Sequence, residues 1–401
     1  MTDDWMRTFE FVTVIDIFAD FKPLAWMEGL TFFWPSAFLQ EFINAKGNEF
    51  ASVRINGEAY RLKTITGKRS HSDIAAWVFK DNCFFTPKPA SAKLPFSYNI
   101  IPDQIRWLAA STIVRINKSK RQNKMPFPRW PLDLTVDSIE DIERCCVECE
   151  DIITKKRESS IQLTHDIDTP ESLENLHLFL EIEEKHHVHS TNFIVPRGWK
   201  LDFSILEAVK KKGHEIGIHG YNHDNRTPFL SSIKMEARID EAVELLLDYK
   251  IKGYRAPSLL MSAPLMEILG KHFHYDSSIP NSGGFYSSQR NGCMTARPFY
   301  YNGILEIPLT LPSDANLLFQ NKKEEEILEM WIKLTKIILK SGGTVNLLTH
   351  CEKRYSGNKK MLDIYDEYIS YLNSLNLPNL RTLSQLHGRL SIEHNEMKRN
   401  G

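Results

Sequence analysis

The chain has 401 residues with 50 basic and 51 acidic side chains, a formal net charge of −1. That balance leaves no broad cationic footprint, so neither nucleic acid nor an anionic lipid surface is expected as a partner. A composition of 42% hydrophobic and 25% charged residues is globular, which excludes wholesale disorder, collagen and a disulfide scaffold.

The amino terminus, Met1-Thr2-Asp3-Asp4-Trp5, is acidic where a secretory signal is basic and then apolar, so a cytoplasmic location is the expectation. The most apolar early stretch, Phe11 to Phe33, is interrupted by Asp16, Asp20, Lys22, Pro23 and Glu28, which argues against a membrane span. Residues 1–150 read as a mixed α and β region of unassigned fold, with a hairpin around Ile55-Asn56-Gly57-Glu58 and a helix over Asp103 to Ile116. The basic run Lys118 to Lys124, followed by Pro126, Pro128 and Pro131, reads as an exposed connector. Cys145, Cys146 and Cys149 form no paired framework, and two thiolates without further ligands make a poor zinc site.

From Gln162 onward short β-rich runs alternate with amphipathic segments. Strands are expected at Ile161 to Asp166, Thr191 to Val195, Glu215 to Ile218, Gly253 to Arg255, His274 to Ser277, Leu305 to Leu309 and Thr344 to Thr349. Helices are expected at Pro170 to His187, Phe203 to Lys212, Ser231 to Tyr249, Ala263 to Lys271, Lys323 to Ser341 and Lys360 to Leu375. This is an α/β pattern, a (β/α) barrel slightly short of eight units, occupying 151–392 and followed by a polar tail at 393–401. In such folds the chemistry lies where the strands end.

The strand ends carry reactive side chains. The first ends in Thr164-His165-Asp166-Ile167-Asp168, two carboxylates one residue apart, although Asp168 before Pro170 could equally be a helix cap. The third ends in His219-Gly220-Tyr221-Asn222-His223, two His at the i, i+4 spacing that meets on one face of a helical turn. One carboxylate plus two His offers a metal three protein ligands and leaves positions for water. Arg255, in Arg255-Ala256-Pro257, can orient Asp166 with its guanidinium fork; His350 ends the last strand as a possible proton donor; Asp276 is a candidate partner for the His350 imidazole.

These motifs resemble, in order, those of the NodB-type polysaccharide deacetylases, carbohydrate esterase family 4, over about Ile161 to Thr382. The likeness lies in Thr164-His165-Asp166, in Gly213-His214-Glu215-Ile216-Gly217-Ile218-His219-Gly220-Tyr221-Asn222-His223, in Arg255-Ala256-Pro257 and in Leu348-Thr349-His350. The resemblance implies a distorted (β/α)7 barrel, Asp166 as base, His219 and His223 as metal ligands, Arg255 orienting the base and His350 as acid. Ile167 separates Asp166 from Asp168 where most members have adjacent aspartates, an Asp-x-Asp variant that makes Asp168 the third ligand. Ser258 replaces the usual aromatic after Pro257, leaving a backbone N–H there for an oxyanion. The segment Pro126 to Asp133 and the runs around Arg297-Pro298-Phe299 and Glu306-Ile307-Pro308 also resemble members from surface-polysaccharide gene clusters.

The expected activity is hydrolysis of an amide on an N-acylated amino sugar, most simply N-deacetylation of a glycan or glycan precursor, with a divalent metal, zinc by default, as cofactor. The alternatives are a deformylase or other C–N hydrolase on the same site, and a carbohydrate-binding module without turnover.

Overall fold

The computed structural model describes residues 39–43, 50–55, 58–63, 88–122, 159–280, 293, 296–340, 343–375 and 382–400. The three cysteines at 145–149 and the proline connector at 126–131 lie outside them. The expected hairpin is present: β2 (Phe50–Ile55) and β3 (Glu58–Lys63) pair antiparallel with Ile55 opposite Glu58, and β1 (Leu39–Ile43) adds to β2. Helix α1 (Asp103–Gln122) extends past the expected Ile116 and takes in the start of the basic run.

Among the described residues the larger sheet has eight strands: β4 (Ser160–Ile167), β5 (Thr191–Ile194), β6 (Glu215–His219), β7 (Gly253–Arg255), β8 (Tyr275–Asp276), β9 (Phe299–Tyr301), β10 (Ile304–Glu306) and β11 (Thr344–His350). Their order is β11-β4-β5-β6-β7-β8-β10-β9, parallel throughout except for β9, which pairs antiparallel with β10. Sequence reading missed β9. Its signal was nevertheless local, because Asn302 and Gly303, with φ of 47° and 91°, form the Asn-Gly turn that favours a two-residue hairpin.

The sheet curls so that the segment past β10 reaches β11. Past β10 the backbone N–H groups of Thr310 and Leu311 donate to the carbonyl of Asn346 on β11, and the Asn346 N–H donates to Thr310 Oγ1 at 2.8 Å. The outer face is covered by α2 (Pro170–Lys185), α3 (Phe203–Lys211), α4 (Ser232–Leu245), α5 (Ala263–His272), α7 (Glu324–Lys340) and α8 (Lys359–Ser374), with the short α6 (Asp314–Leu318) leading into α7. Local chemistry sets these boundaries: Pro170 opens α2 with Thr169 as its cap, while Asp202, Ser262 and Asn358 cap α3, α5 and α8.

The expected polar tail at 393–401 lies, for residues 393–400, within helix α9 (Leu383–Asn400). Leu383 and Leu386 at its start pack with Phe193, Tyr275, Leu305 and Ile307, so burial of its first turns anchors the whole helix. Among the described residues no helix is long and apolar enough to cross a membrane.

Candidate active site

Strand alternation arranges the first carboxylates. Along β4, Ile161, Leu163 and Ile167 join the apolar core beneath the helices, so residues of the other parity, Thr164 and Asp166, face the interior of the curled sheet. Asp168, two residues past Asp166, continues that side. Thr169 rather than Asp168 caps α2, donating its own hydroxyl to Glu352 Oε1 while its oxygen accepts from Ser172 N. His165 points the other way, where its Nε2 lies 2.7 Å from the buried Glu183 carboxylate and its Nδ1 2.7 Å from Thr349 Oγ1. Ser190 and Tyr365 hydroxyls also donate to Glu183, and although burial opposes it, His165 holds this carboxyl well below the usual range.

His219 and His223 converge, though not on a helix. His219 is the last residue of β6, and the backbone turns through left-handed conformations at Gly220 (φ 64°), His223 (φ 55°) and Asn225 (φ 61°). Gly220 is required twice over, since a β-carbon there would also stand 2.4 Å from the Pro257 ring. The loop is pinned to α4 through Asp224, which accepts both guanidinium arms of Arg238 at 2.8 Å. His219 Nε2 lies 3.1 Å and His223 Nε2 3.3 Å from Asp168 Oδ1. Burial works against ionisation of Asp168, yet the two imidazoles hold its carboxyl well below the ordinary range.

Arg255 is fully buried and spends its donors at fixed points. Nη1 donates to Asp166 Oδ1 at 3.0 Å and Thr164 Oγ1 at 2.8 Å, Nε to the Ser277 carbonyl at 2.7 Å, and Nη2 to Ser277 Oγ at 2.9 Å. Its guanidinium lies over the Phe193 ring, 4.1 Å from the centroid, and that ring has room only because Gly217 carries no side chain: a β-carbon there would be 2.6 Å from Phe193. With Oδ1 so held, Asp166 Oδ2 stands 3.6 Å from His219 Nε2.

His350 ends β11 directly opposite Asp166 in the strand register. Its expected partner was Asp276, and the structure corrects this: Nδ1 of His350 lies 2.7 Å from Asp314 Oδ1, while the backbone N–H of His350 and the Ser356 hydroxyl both donate to Asp314 Oδ2. Burial acts against the imidazolium, but the Asp314 charge and hydrogen bond outweigh it and raise the His350 pKa to about 10. Asp276 cannot reach. Its two-residue strand is in register with Tyr254 and Glu306, and its carboxylate accepts from Ser278 N and Oγ, whose Oγ in turn accepts from Ala256 N. It thereby braces the turn after Arg255.

Sequence reasoning missed Asp314 and Glu352. Asp314 follows the sixth expected strand at the same rim as the other groups, a placement that could have found it. Glu352, 1% exposed, has its pKa raised to about 7 by burial and by the neighbouring Asp168 charge.

Asp168, His219 and His223 fit a metal ion. One donor atom from each lies within 4.8 Å of the others, and Asp168 Oδ1 is buried without a well-formed hydrogen bond among the described residues. His219 Nδ1 lies 3.1 Å from the Arg255 carbonyl, which can only accept, so Nδ1 carries a proton and Nε2 is the ring atom left to ligate a metal beside Asp168.

Comparison with known proteins places these groups in a family context. Residues 154–273 match the family model described as polysaccharide deacetylase. The chain is 33% identical over 105 residues to a peptidoglycan deacetylase of Helicobacter pylori, covering 25% of this chain and 35% of that protein. It is 31% identical over 88 residues to the uncharacterized protein YlxY of Bacillus subtilis, covering 21% of this chain and 27% of that one. The chain thus spans little more than a third of the first relative and about a quarter of the second. A crystal structure described as a polysaccharide deacetylase of Mycobacterium smegmatis superposes with a TM-score of 0.47 at 17% identity, over 60% of this chain and 93% of that one. The segment that supplies Asp166, Asp168, His219, His223 and Arg255 thus lies within the residues that match the polysaccharide deacetylase model.

Proposed function

We propose that this protein hydrolyses the amide of an N-acylated amino sugar, most simply an N-acetyl group on a glycan or on a precursor of a surface polysaccharide. One observation carries the reading: the Asp168, His219 and His223 cluster is flanked by a carboxylate fixed by a buried arginine and by an imidazole fixed by a buried aspartate. A divalent cation held by the three ligands, zinc by default, would acidify and orient a water and polarise the amide carbonyl.

Asp166 then takes the proton of the attacking water through Oδ2, with Arg255 keeping Oδ1 occupied and the carboxylate aimed. His350, an imidazolium under the influence of Asp314, gives its proton to the departing nitrogen. The oxyanion is assigned to backbone N–H at or near Ser258, in a turn whose Ser258 and Leu259 adopt left-handed backbone with φ of 52° and 55°, braced from below by Asp276 through Ser278.

Bound-metal analysis of the purified protein, paired with acid release from a panel of N-acetylated amino sugars and oligosaccharides, tests the reading. Acetate release that is lost in Asp166→Asn, with metal lost in His219→Ala and His223→Ala, is the expected result. Formate release instead would identify a deformylase, and metal binding with sugar affinity but no release would identify a binding module.

A further inference from the structure

We propose that residues 88–122 form a working wall of this centre and that Tyr98 is a positioning residue for the ligand His223; the inference rests on the metal-site reading above. The two imidazoles are held through the same ring atom by different parts of the chain. His219 Nδ1 is fixed by the Arg255 carbonyl, part of the curled sheet itself, whereas His223 Nδ1 lies 2.6 Å from the Tyr98 hydroxyl, 125 residues earlier. When Nε2 of His223 serves as a metal ligand, the ring proton sits on Nδ1 and donates to the phenol oxygen. The contact restrains rotation of the imidazole and keeps Nε2 aimed at the ligand cluster.

The phenol is itself held in place. Arg226, in the His223 loop, donates from Nη2 to the carbonyls of Leu94 and Phe96 at 2.7 Å each, and Asn225 Nδ2 donates to Ser91 Oγ. The Arg106 guanidinium lies 5.5 Å from the Tyr98 ring centroid. The next residue, Trp107, packs on Phe319 and Tyr355, with ring centroids 4.4 and 5.6 Å away, and Tyr355 faces His350 at 5.0 Å. Ala110 and Ala315 close the same cluster, so α1 leans on the short helix that carries Asp314. One continuous stretch thus touches the neighbour of the acid with Trp107 and a metal ligand with Tyr98, which a detached leading domain would not do.

The test uses the full chain and Tyr98→Phe, which keeps the ring and removes only the hydroxyl. Zinc affinity is measured by competition with a chromophoric chelator, beside thermal unfolding of the metal-free proteins. The expected result is an affinity about 10- to 100-fold weaker, from loss of a partner outside the ligand set, with metal-free unfolding unchanged. Equal affinity in wild type and variant overturns the assignment while leaving the metal site standing; a wild type that binds no zinc overturns both. Should the variant fail to fold, 15N spectra of the zinc-loaded wild type decide: a slowly exchanging Nδ1 proton on His223 is expected, and one that exchanges freely with solvent overturns the inference.

Discussion

Asp314 grips His350 at two points, its Oδ1 on the imidazole Nδ1 and its Oδ2 on the backbone N–H of the same residue. Side chain and main chain are thus oriented by one carboxylate. With Asp314 so placed, the His350 pKa is raised to about 10, whereas an unpartnered His has a pKa of about 6.5.

The first prediction follows from that difference. In Asp314→Asn the raised pKa of about 10 collapses toward the ordinary value, so the alkaline limb of kcat/KM moves to lower pH. Activity at pH 8 should fall by about 100-fold or more, as expected when a general acid is lost, with a smaller deficit at pH 6. For stability the sign is the same: a His whose folded pKa is raised contributes fully below its unfolded pKa and loses that contribution as pH rises through about 10. A pH profile superimposable on wild type would remove Asp314 from this role.

Arg255→Leu should be costly in a different way. The buried guanidinium pairs with Asp166 and with Ser277, and deleting it strands a carboxylate inside the protein. A loss of about 3–5 kcal/mol in urea unfolding is expected. Arg255→Lys keeps the charge without the planar fork; it should recover part of that stability and little of the activity.

Gly220→Ala probes the turn between the two histidines. Both its left-handed backbone and the nearby Pro257 ring oppose a side chain. The variant should lose about 1–3 kcal/mol by chemical denaturation, and its zinc affinity should fall because the turn sets the distance between His219 and His223.

Glu183→Leu separates structure from chemistry. Its carboxylate accepts from Ser190 and Tyr365 and pairs with His165, all away from the cluster at Asp168. Leaving those buried groups unpaired should cost about 1–3 kcal/mol for each one stranded, measured as a lowered unfolding midpoint. Zinc bound per folded chain should remain at the wild-type level.

The groups legible in the sequence share one property: each sits at the end of a strand that announces itself locally. Asp166, Asp168, His219, His223, Arg255 and His350 were found this way, and the structure brings them to one rim. The spacing of His219 and His223 suggested a helical turn, but Gly220 and His223 adopt positive φ and produce the convergence by a sharper route. Asp314 and Tyr98 were missed because their meaning lies in contacts across 36 and 125 residues, which no local pattern encodes. Asp276 was misassigned for the complementary reason: strand order, not position along the chain, decides which strand end faces His350.

The place where the sheet meets itself has one more implication. Thr310 and Leu311 bind the backbone of Asn346, and Asp314 and His350 follow a few residues beyond on the two sides of that join. The pairing of β4 through β8 gathers Asp168, His219, His223 and Arg255 without that join, whereas His350 meets its aspartate only across it. The His350–Asp314 contact is therefore a readout of whether that join has formed.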